Sequence, residues 1–341
     1  MSTAVIFGGC GFIGLYYAEE ALNQKLFDSI YLIDLKEPDD DFCKIKYQKI
    51  LKTGKVKFFK YDIRQDLNKI PILHPVDTIL NFAAIHREPG HLDSEYFETN
   101  IKGATNICNF ADHFKCNNII FTSTIAVYGG GDHEKIETTM LLPTTPYGKS
   151  KLTAENIHIS WLNSDLHNRT LSICRPGVVF GAGERGNVSR LIKIIKKRFF
   201  LYMGNKKIRK AGIYIKELVN ILIWVNQNQL SKNISSLTLF NASIYPCPTL
   251  EAFSKNISQT LNISDNFINI PYSFIKFILF ISSFILKNLS KTNSFNYKRI
   301  NKLFISNNVK PEFLMSNSYP FKYNLRSSLD DWKETNSSDW T

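Results

Sequence analysis

A glycine-rich turn near the start of the chain constrains the fold more than any other feature of the sequence. The apolar run AVIFGG at 4–9 leads into GGCGFIG, and the helix-like LYYAEEALNQ follows. Gly8, Gly11 and Gly14 form a GxxGxxG pattern, which lets the backbone turn tightly and approach an anion. The anion then lies at a helix N-terminus, where unpaired N–H groups and the positive end of the dipole meet. The turn therefore predicts a dinucleotide pyrophosphate site.

Short β-branched runs predict strands, and longer amphipathic stretches separate several of them. The predicted strands lie at 4–9, 29–34, 55–60, 77–84, 117–124 and 169–176. Helical patterns are clearest at 98–114 and 147–163. Strands that alternate with helices, some of them almost continuously apolar, indicate a parallel sheet with helices on both faces. The sequence therefore predicts an α/β fold with a doubly wound parallel sheet of the Rossmann type.

The alternation weakens after about residue 180, where the chain becomes richer in Asn, Ser, Lys, Ile and Phe. We therefore expect a nucleotide-binding domain over 1–180. Residues 181–341 would form most of a smaller, interleaved substrate-binding lobe. We also expect late elements of the sheet to come from 205–245.

An acidic residue defines the expected cofactor. Asp34 stands twenty residues after Gly14, at the end of the second predicted strand. A carboxylate there accepts hydrogen bonds from the adenosine ribose and repels a 2′-phosphate, which favours NAD over NADP. Because of Lys36, two residues later, NADP stays an alternative cofactor. Asp62 after the third strand would approach the adenine, with a solvated turn aspartate as the alternative.

A tyrosine and a lysine form the expected reactive group. Tyr147 and Lys151 lie four residues apart on one helix face, and Pro146 suits a helix start. A phenol has an unperturbed pKa of about 10, which a nearby ammonium and a nicotinamide cation would lower toward neutrality. Thr124, at the end of the fifth predicted strand, could bridge the reacting oxygen and Tyr147. A YxxxK pair alone occurs by chance, but here it accompanies the glycine turn and Asp34.

These motifs together resemble the extended short-chain dehydrogenase/reductase superfamily, in its NAD-dependent sugar epimerase/dehydratase branch. The resemblance covers at least 3–225 and rests on GGCGFIG, NFAA, NIKGATN, FTSTIAVYG, YGKSK and RPGVVFG. It implies a catalytic triad of Thr124, Tyr147 and Lys151, supported by Asn100. It implies an NAD site formed by Gly8, Gly11, Phe12, Ile13, Gly14, Asp34, Asp62, Ile63, Ala83, Ala84, Tyr147, Lys151 and Pro176.

Further strings are similar to those of bacterial surface-polysaccharide epimerases that act at C4 of an N-acetylhexosamine. They are AAIHRE (83–88), NNIIFTSTIAVYG (117–129), RPGVVFGAGERGNVSRLI (175–192) and the apolar stretch near 271–286. The group resembled is that of the undecaprenyl-diphosphate-linked N-acetylglucosamine 4-epimerases. In this family, sugar-nucleotide 4,6-dehydratases carry an Asp-Glu pair after the hydroxyl residue. Ile125 and Ala126 stand there instead and cannot move protons, which disfavours a dehydratase.

The resemblance implies a sugar carried on a diphosphate, either UDP or undecaprenyl diphosphate. Arg185, Asn187 and Lys210 are candidates for holding that diphosphate, although solvated surface groups are the alternative. His86 lies where some sugar epimerases have a lysine near the cofactor phosphates, and we assign it to the substrate side. A 4-keto-sugar reductase would use the same catalytic residues. A regulator that binds NAD without turnover would usually have lost the Tyr or the Lys.

Net charge and cysteine content bear on the classes of partner and site that the chain could have. The formal net charge is +12, and the basic residues are dense only at 193–210. No helix-turn-helix, RNP or finger pattern accompanies them, so we expect no nucleic-acid partner. Six cysteines without a CxxC pair argue against a disulfide framework or a thiolate zinc site, and we expect no metal. With no signal-peptide pattern at the N-terminus, the sequence predicts a cytoplasmic protein.

One apolar segment, PYSFIKFILFISSFILK at 271–287, allows two readings. As a helix its 17 residues would span about 25 Å, less than the ~30 Å hydrocarbon core of a bilayer. It would then be a helix buried in the second lobe or at a subunit contact, such as a homodimer. The other reading is a shallow interfacial helix, assisted on anionic lipid by the lysines of 193–210. That reading places the enzyme at the inner face of the cytoplasmic membrane.

Overall fold

The computed structural model describes residues 2–88, 90–271 and 305–341. Its strands are β1 (Thr3–Phe7), β2 (Ser29–Asp34), β3 (Val56–Lys60), β4 (Thr78–Asn81), β5 (Asn118–Thr122), β6 (Gly131–Lys135), β7 (Thr170–Pro176), β8 (Val178–Phe180), β9 (Tyr202–Met203), β10 (Gly212–Tyr214), β11 (Leu237–Ala242), β12 (Asn269–Ile270) and β13 (Asn307–Val309). Its helices are α1 (Phe12–Asn23), α2 (Asp41–Leu51), α3 (Asp93–His113), α4 (Pro146–Asn163), α5 (Asn187–Lys196), α6 (Ile215–Leu230), α7 (Leu250–Leu261), α8 (Glu312–Ser316) and α9 (Leu325–Thr335).

Seven strands form one parallel sheet in the order β3-β2-β1-β4-β5-β7-β11. This architecture confirms the predicted doubly wound α/β fold. All six predicted strands are present, and β11 joins them as the seventh. The predicted fourth strand is too long at its end, because the chain leaves the sheet after Asn81 to pass the glycine turn. The proposed domain boundary near 180 stays a prediction.

Both faces of the sheet are covered by helices, which explains why its strands are so apolar. Every residue of β1 is buried, and so is every residue of β4 and β5. On one face Phe7 of β1 meets Phe110 of α3 edge to face, with ring centroids 5.3 Å apart. On the other face Leu15 of α1 and Leu218 of α6 are fully buried in a common cluster. A sheet buried on both sides needs near-continuous apolar runs, which the sequence supplies.

The order of the strands creates a crevice at one edge of the sheet. The chain moves outward in one direction through β1, β2 and β3, and then in the other through β4, β5 and β7. Because all these strands are parallel, their carboxyl ends lie at the same edge. Ligands of open α/β sheets bind outside that edge, at the point where the strand order reverses. Here that point lies between β1 and β4.

The remaining strands form three two-stranded pairs outside the main sheet. They are β8 with β10, β9 with β12, and β6 with β13. Within the described residues, no helix combines the length and the apolar character that crossing a bilayer requires. The apolar segment predicted at 271–287 lies, apart from Pro271, outside the described residues.

The end of α3 generates a prediction about stability. Lys115 follows this helix with φ +52°, in the left-handed region that favours glycine. The amide of Cys116 then donates to the Ala111 carbonyl, 2.8 Å away, which closes the helix end. Lys115→Gly should raise the free energy of unfolding by about 0.5–1 kcal/mol, measured by urea denaturation. Lys102→Gly, at an exposed position inside α3, should lower it by about 1 kcal/mol. Destabilisation by both changes would contradict the left-handed cap.

Candidate active site

The glycine turn is closed so tightly that two of its positions admit no side chain. Gly8 has φ +76°, and a Cβ there would lie 2.7 Å from the amide nitrogen of Ala83. A Cβ on Gly14 would lie 2.5 Å from the Gly8 carbonyl oxygen. The first strand, the start of α1 and the loop after β4 therefore meet without intervening side chains. This contact places Ala83 beside the turn, and a role of Ala83 and Ala84 in lining the cofactor groove stays a prediction.

The N-terminus of α1 is open toward the crevice. In the described part of the chain no side chain caps this helix, and its first turn carries no acidic residue. Gly11 is the N-cap and is exposed, so the amides of Phe12 and Ile13 at the start of the helix face an unobstructed approach. An anionic group fits here, because the helix dipole and these N–H groups both favour negative charge.

Asp34 faces the same turn from the end of β2. Its carboxylate accepts hydrogen bonds from the amides of Cys10, at 3.1 Å, and Leu35, at 2.8 Å. Burial raises the pKa of Asp34, and these amides oppose the rise. Lys36, the residue that left NADP open, forms an ion pair with Asp39. The geometry is compatible with a carboxylate held ready for ribose hydroxyls.

The loop after β3 carries Asp62, whose carboxylate, unlike that of Asp34, is bound by an arginine side chain. Arg64 binds Asp62 through two hydrogen bonds from Nε and one from Nη2, the shortest 2.6 Å, and this contact holds the pKa of Asp62 low. Ile63 is buried against Gly103 of α3. Asn106 of the same helix donates to the Ile63 carbonyl, 2.8 Å away. The loop is therefore fixed by α3, while its carboxylate already has a cationic partner.

Helix α4 begins at Pro146, one residue before Tyr147, the tyrosine predicted to be reactive. Thr145 caps the helix by accepting from the amide of Gly148 at 3.1 Å, and Pro146 occupies the first turn. Burial raises the pKa of Tyr147 to about 12, and a hydrogen bond with the Thr124 side chain acts against that rise. Thr124 lies two residues beyond β5 and accepts from the amide of Ala126 at 3.2 Å. The hydroxyl and the phenol predicted to act together are thus adjacent.

Lys151 is a buried basic group of α4. Its side chain is 2% exposed, and its Nζ lies 4.1 Å from the centroid of the Phe121 ring. Burial lowers the pKa of Lys151 to about 7, and the charge of Glu155 opposes the change. The ring and the carboxylate both favour the ammonium form. Tyr147 lies one helical turn before Lys151 on the same helix.

Two unpartnered polar atoms lie at the same edge of the sheet. Ser123 Oγ, just after β5, and Asn81 Oδ1, the last residue of β4, are buried without a hydrogen-bond partner among the described residues. Buried polar atoms in proteins are almost always satisfied. Together with the open helix end and Asp34, they fit a polar cofactor lying along the carboxyl ends of the strands. Pro176, the last residue of β7, is buried at this edge as well.

Comparison with known proteins agrees with this geometry. Residues 4–236 match the NAD dependent epimerase/dehydratase family. The chain belongs to that family. NAD is therefore its cofactor, and the glycine turn, Asp34 and the polar strand ends are the features of this family member that fit it.

Individual relatives extend the match over the whole chain. An N-acetyl-alpha-D-glucosaminyl-diphospho-ditrans,octacis-undecaprenol 4-epimerase of Escherichia coli O157:H7 is 26% identical over 326 residues, which covers 96% of this chain and 92% of the relative. A UDP-glucuronic acid 4-epimerase of Bacillus cereus, solved with NAD, has a TM-score of 0.76 at 18% identity, covering 99% of this chain and 100% of that one. A UDP-Glc/GlcNAc 4-epimerase of Campylobacter jejuni has a TM-score of 0.74 at 18% identity, covering 98% and 100%. The two structures share the fold of this family member.

Asn100 connects the crevice to α4, in line with the supporting role predicted for it. Its Oδ1 accepts from the amide of Ile85 at 2.9 Å, and its Nδ2 donates to Ser150 Oγ at 2.9 Å. Ser150 in turn donates to the Tyr147 carbonyl, also at 2.9 Å. The loop after β4 is thereby held to the helix that carries the phenol. His86 lies exposed in that loop.

The three predicted diphosphate ligands have different surroundings. Arg185 forms an ion pair with Asp40, at 2.7 Å, beside the start of α2. Asn187 is the exposed first residue of α5. Lys210 donates to the Ile305 carbonyl at 2.8 Å, and burial lowers its pKa to about 8. Their joint role in binding a diphosphate stays a prediction. Among the described residues, no group of three or more His, Cys, Asp or Glu side chains could hold a metal ion.

Sequence reasoning missed a histidine beneath the site. His158 stacks on the Phe121 ring, with centroids 4.3 Å apart, while Lys151 approaches the same ring. Burial lowers the pKa of His158 to about 4, so the ring is neutral at pH 7. Its Nδ1 then donates to the Ala154 carbonyl and its Nε2 accepts from Asn81. The seven-residue spacing of Lys151 and His158, which puts both on one helix face, was the available signal.

A second missed feature is a buried ion pair one turn beyond Lys151. Arg175 donates to Glu155 from Nε at 3.0 Å and from Nη2 at 2.6 Å, and both side chains are almost fully buried. Arg175 also donates to the Tyr128 hydroxyl at 2.9 Å, and Tyr128 donates to Asn241. The pair joins α4 to β7 underneath the reactive groups. Nothing in the sequence indicates this ion pair, because Arg175 stands out only as the residue before Pro176.

The first prediction from this site concerns the cofactor. Asp34→Ala should weaken NAD binding about 10- to 100-fold and relax discrimination against NADP, because ribose hydrogen bonds to a charged group are lost. Fluorescence titration of both nucleotides measures the change. Asp39→Ala, at an exposed carboxylate that pairs with Lys36, should leave the NAD affinity unchanged. An unaltered preference in the Asp34 variant would contradict its placement at the ribose.

The second prediction concerns the buried ion pair. Glu155→Gln and Arg175→Met should each lower the free energy of unfolding by about 3–5 kcal/mol, because each leaves a buried charge without its partner. The double variant should lose clearly less than the sum of the two single losses. Urea denaturation checks this, with Lys69→Gln in the exposed Lys69–Asp66 pair expected to cost less than about 0.5 kcal/mol. Additive losses would mean that the pair is not coupled.

Proposed function

We propose that the chain is an NAD-dependent 4-epimerase of an N-acetylhexosamine carried on a diphosphate, serving surface polysaccharide synthesis. The observation that carries the proposal is the hydrogen bond between Tyr147 and Thr124, one helical turn from the buried Lys151 on α4. Ile125 and Ala126 follow Thr124 at the start of a short 3-10 helix, so no acid–base pair for dehydration stands there. The relatives named above are 4-epimerases, which supports the same reaction.

Three side chains have distinct roles in the proposed proton transfer. Lys151 contributes positive charge, which makes the phenolate of Tyr147 accessible near neutral pH. Tyr147 takes the proton of the sugar 4-hydroxyl, and Thr124 orients the reacting oxygen through its hydroxyl. NAD, which the glycine turn and Asp34 would hold, would supply reversible hydride transfer at C4, so that a 4-keto sugar could be reduced again from its opposite face. Because the same phenol returns the proton, the cycle needs no further acid or base.

The carrier of the sugar is proposed to be UDP or undecaprenyl diphosphate. Arg185, Asn187 and Lys210 would hold the diphosphate, with His86 at the edge of the substrate site. The full-length similarity to a relative that acts on an undecaprenol-linked sugar supports the lipid carrier. We also propose that the segment 271–287 makes a peripheral contact with the inner face of the cytoplasmic membrane, in keeping with its apolar sequence. The homodimer stays a prediction.

The deciding experiment is an incubation of the purified protein with UDP-N-acetylglucosamine and, separately, with its undecaprenyl-diphosphate counterpart. Inversion at C4 is scored without added nucleotide. Turnover without added NAD supports an epimerase, because the cofactor is regenerated in each cycle. Turnover of a 4-keto sugar that consumes stoichiometric NAD(P)H would instead indicate the reductase. The substrate that is inverted identifies the carrier.

Tyr147→Phe should lower turnover by about 10²- to 10⁴-fold while NAD stays bound, because the proton acceptor is removed and the cofactor crevice is not. Steady-state kinetics and the nucleotide content of the purified protein measure the two effects. Tyr61→Phe, whose hydroxyl is exposed and donates to the Lys69 carbonyl, is the matched control. Near-normal turnover of the Tyr147 variant would overturn the assignment of the base.

A further inference from the structure

The pair of strands β9 and β12 exposes an apolar face. The strands run parallel, with Tyr202 opposite Asn269 and Met203 opposite Ile270. The amide of Tyr202 donates to the Ile268 carbonyl and that of Gly204 to the Ile270 carbonyl, both at 2.9 Å. Because successive side chains of a strand alternate between faces, this register determines which residues point the same way.

The inner face of the pair is packed into the lobe. Phe200, Tyr202 and Phe267 meet edge to face, with ring centroids 4.9–5.8 Å apart. The alternation places Leu201, Met203 and Ile268 on the outer face, together with Ile270. Leu201 and Met203 are each 40% exposed and Ile268 is 68% exposed. Aliphatic side chains thus cover the outer face where a solvated strand would carry polar ones.

The end of α5 extends this face. Arg198 has φ +60°, and the amide of Phe199 donates to the Ile194 carbonyl at 3.1 Å, which closes the helix with a Schellman turn. The turn brings Phe199, which is 77% exposed, back toward Ile194, which is 45% exposed. We call the surface formed by Ile194, Phe199, Leu201, Met203 and Ile268 the ribbon face.

Cationic side chains accompany the ribbon face. Lys193, Lys197, Arg198 and Lys207 are all exposed. Residues 190–210 contain no acidic residue, and Asp265 before β12 is the nearest acid along the second strand's sequence. An apolar surface bordered by flexible cations is the pattern of proteins that sit on anionic bilayers, where side chains enter the interface and lysines meet the headgroups.

We propose that the ribbon face docks on an anionic lipid surface. Five side chains offer only a few hundred Å², less than the ~800 Å² that each partner buries in a standard protein interface. Charge complementarity with anionic headgroups supplies the remaining attraction. The ten residues of α5 span about 15 Å, which separates the ribbon face from Asn187 at the start of the helix. As far as it serves a lipid-linked substrate, this proposal rests on the proposed function.

Vesicle flotation of the full chain tests the proposal. Vesicles of phosphatidylcholine with phosphatidylglycerol are compared with vesicles of phosphatidylcholine alone, at low and at high salt. The protein should float with the anionic vesicles at low salt. The variants Phe199→Ser/Ile268→Ser and Lys193→Gln/Lys197→Gln should each bind at least tenfold more weakly. Leu73→Ser/Leu92→Ser, at residues 69% and 72% exposed elsewhere on the molecule, should float like the unaltered protein.

Three outcomes would overturn the proposal. The protein could remain soluble with anionic vesicles, or the Phe199/Ile268 variant could float undiminished because another segment, such as 271–287, holds the lipid. A change of oligomeric state in that variant, measured by light scattering, would assign the face to a protein contact instead. Epimerisation of UDP-N-acetylglucosamine without vesicles, measured on the same variants, tests the proposed function separately. Loss of flotation with unchanged turnover supports the lipid contact alone.

Discussion

The chemistry proposed for this protein depends on one buried positive charge. Lys151 lies in the interior, against the ring of Phe121, and burial lowers its pKa to about 7. Glu155, held by Arg175, supplies the negative charge that opposes this loss. Burial also disfavours the charged form of Tyr147, because it raises the pKa of the phenol. Each group is unfavourable in its ionised form alone, and in the proposed mechanism the lysine stabilises the phenolate.

The parallel sheet makes this arrangement possible. Its strands end at a common edge, so Asp34, Asn81 and Thr124 reach one crevice although more than forty residues separate them in sequence. The same geometry requires glycine where the first turn meets the loop after β4, since a Cβ on Gly8 would collide with Ala83. Cofactor site and reactive group are thus two consequences of one strand order. The helices on both faces hold that order through apolar packing.

Local patterns predicted much of the molecule. The strands were visible because burial on both faces demands continuous apolar runs, and the start of α4 was visible because Pro146 suits the first turn of a helix. Predictions were less accurate where distant segments meet. The fourth strand ends at Asn81, earlier than its apolar sequence suggested, because the following residues turn to pack on Gly8. His158 escaped notice because a histidine on a helix shows no sign of the aromatic ring it stacks on.

The sequence by itself determined the doubly wound fold, the glycine turn, and the spacing of Tyr147 and Lys151 on one helix. Those features are local, and spacing along a strand or helix is enough to specify them. Only the tertiary structure decided which charges surround Lys151 and which face of the β9–β12 pair is left to solvent. Partners such as Glu155 and Arg175 come from different elements, and the free energy of a buried charge depends on what packs around it. No periodicity along the chain encodes that environment.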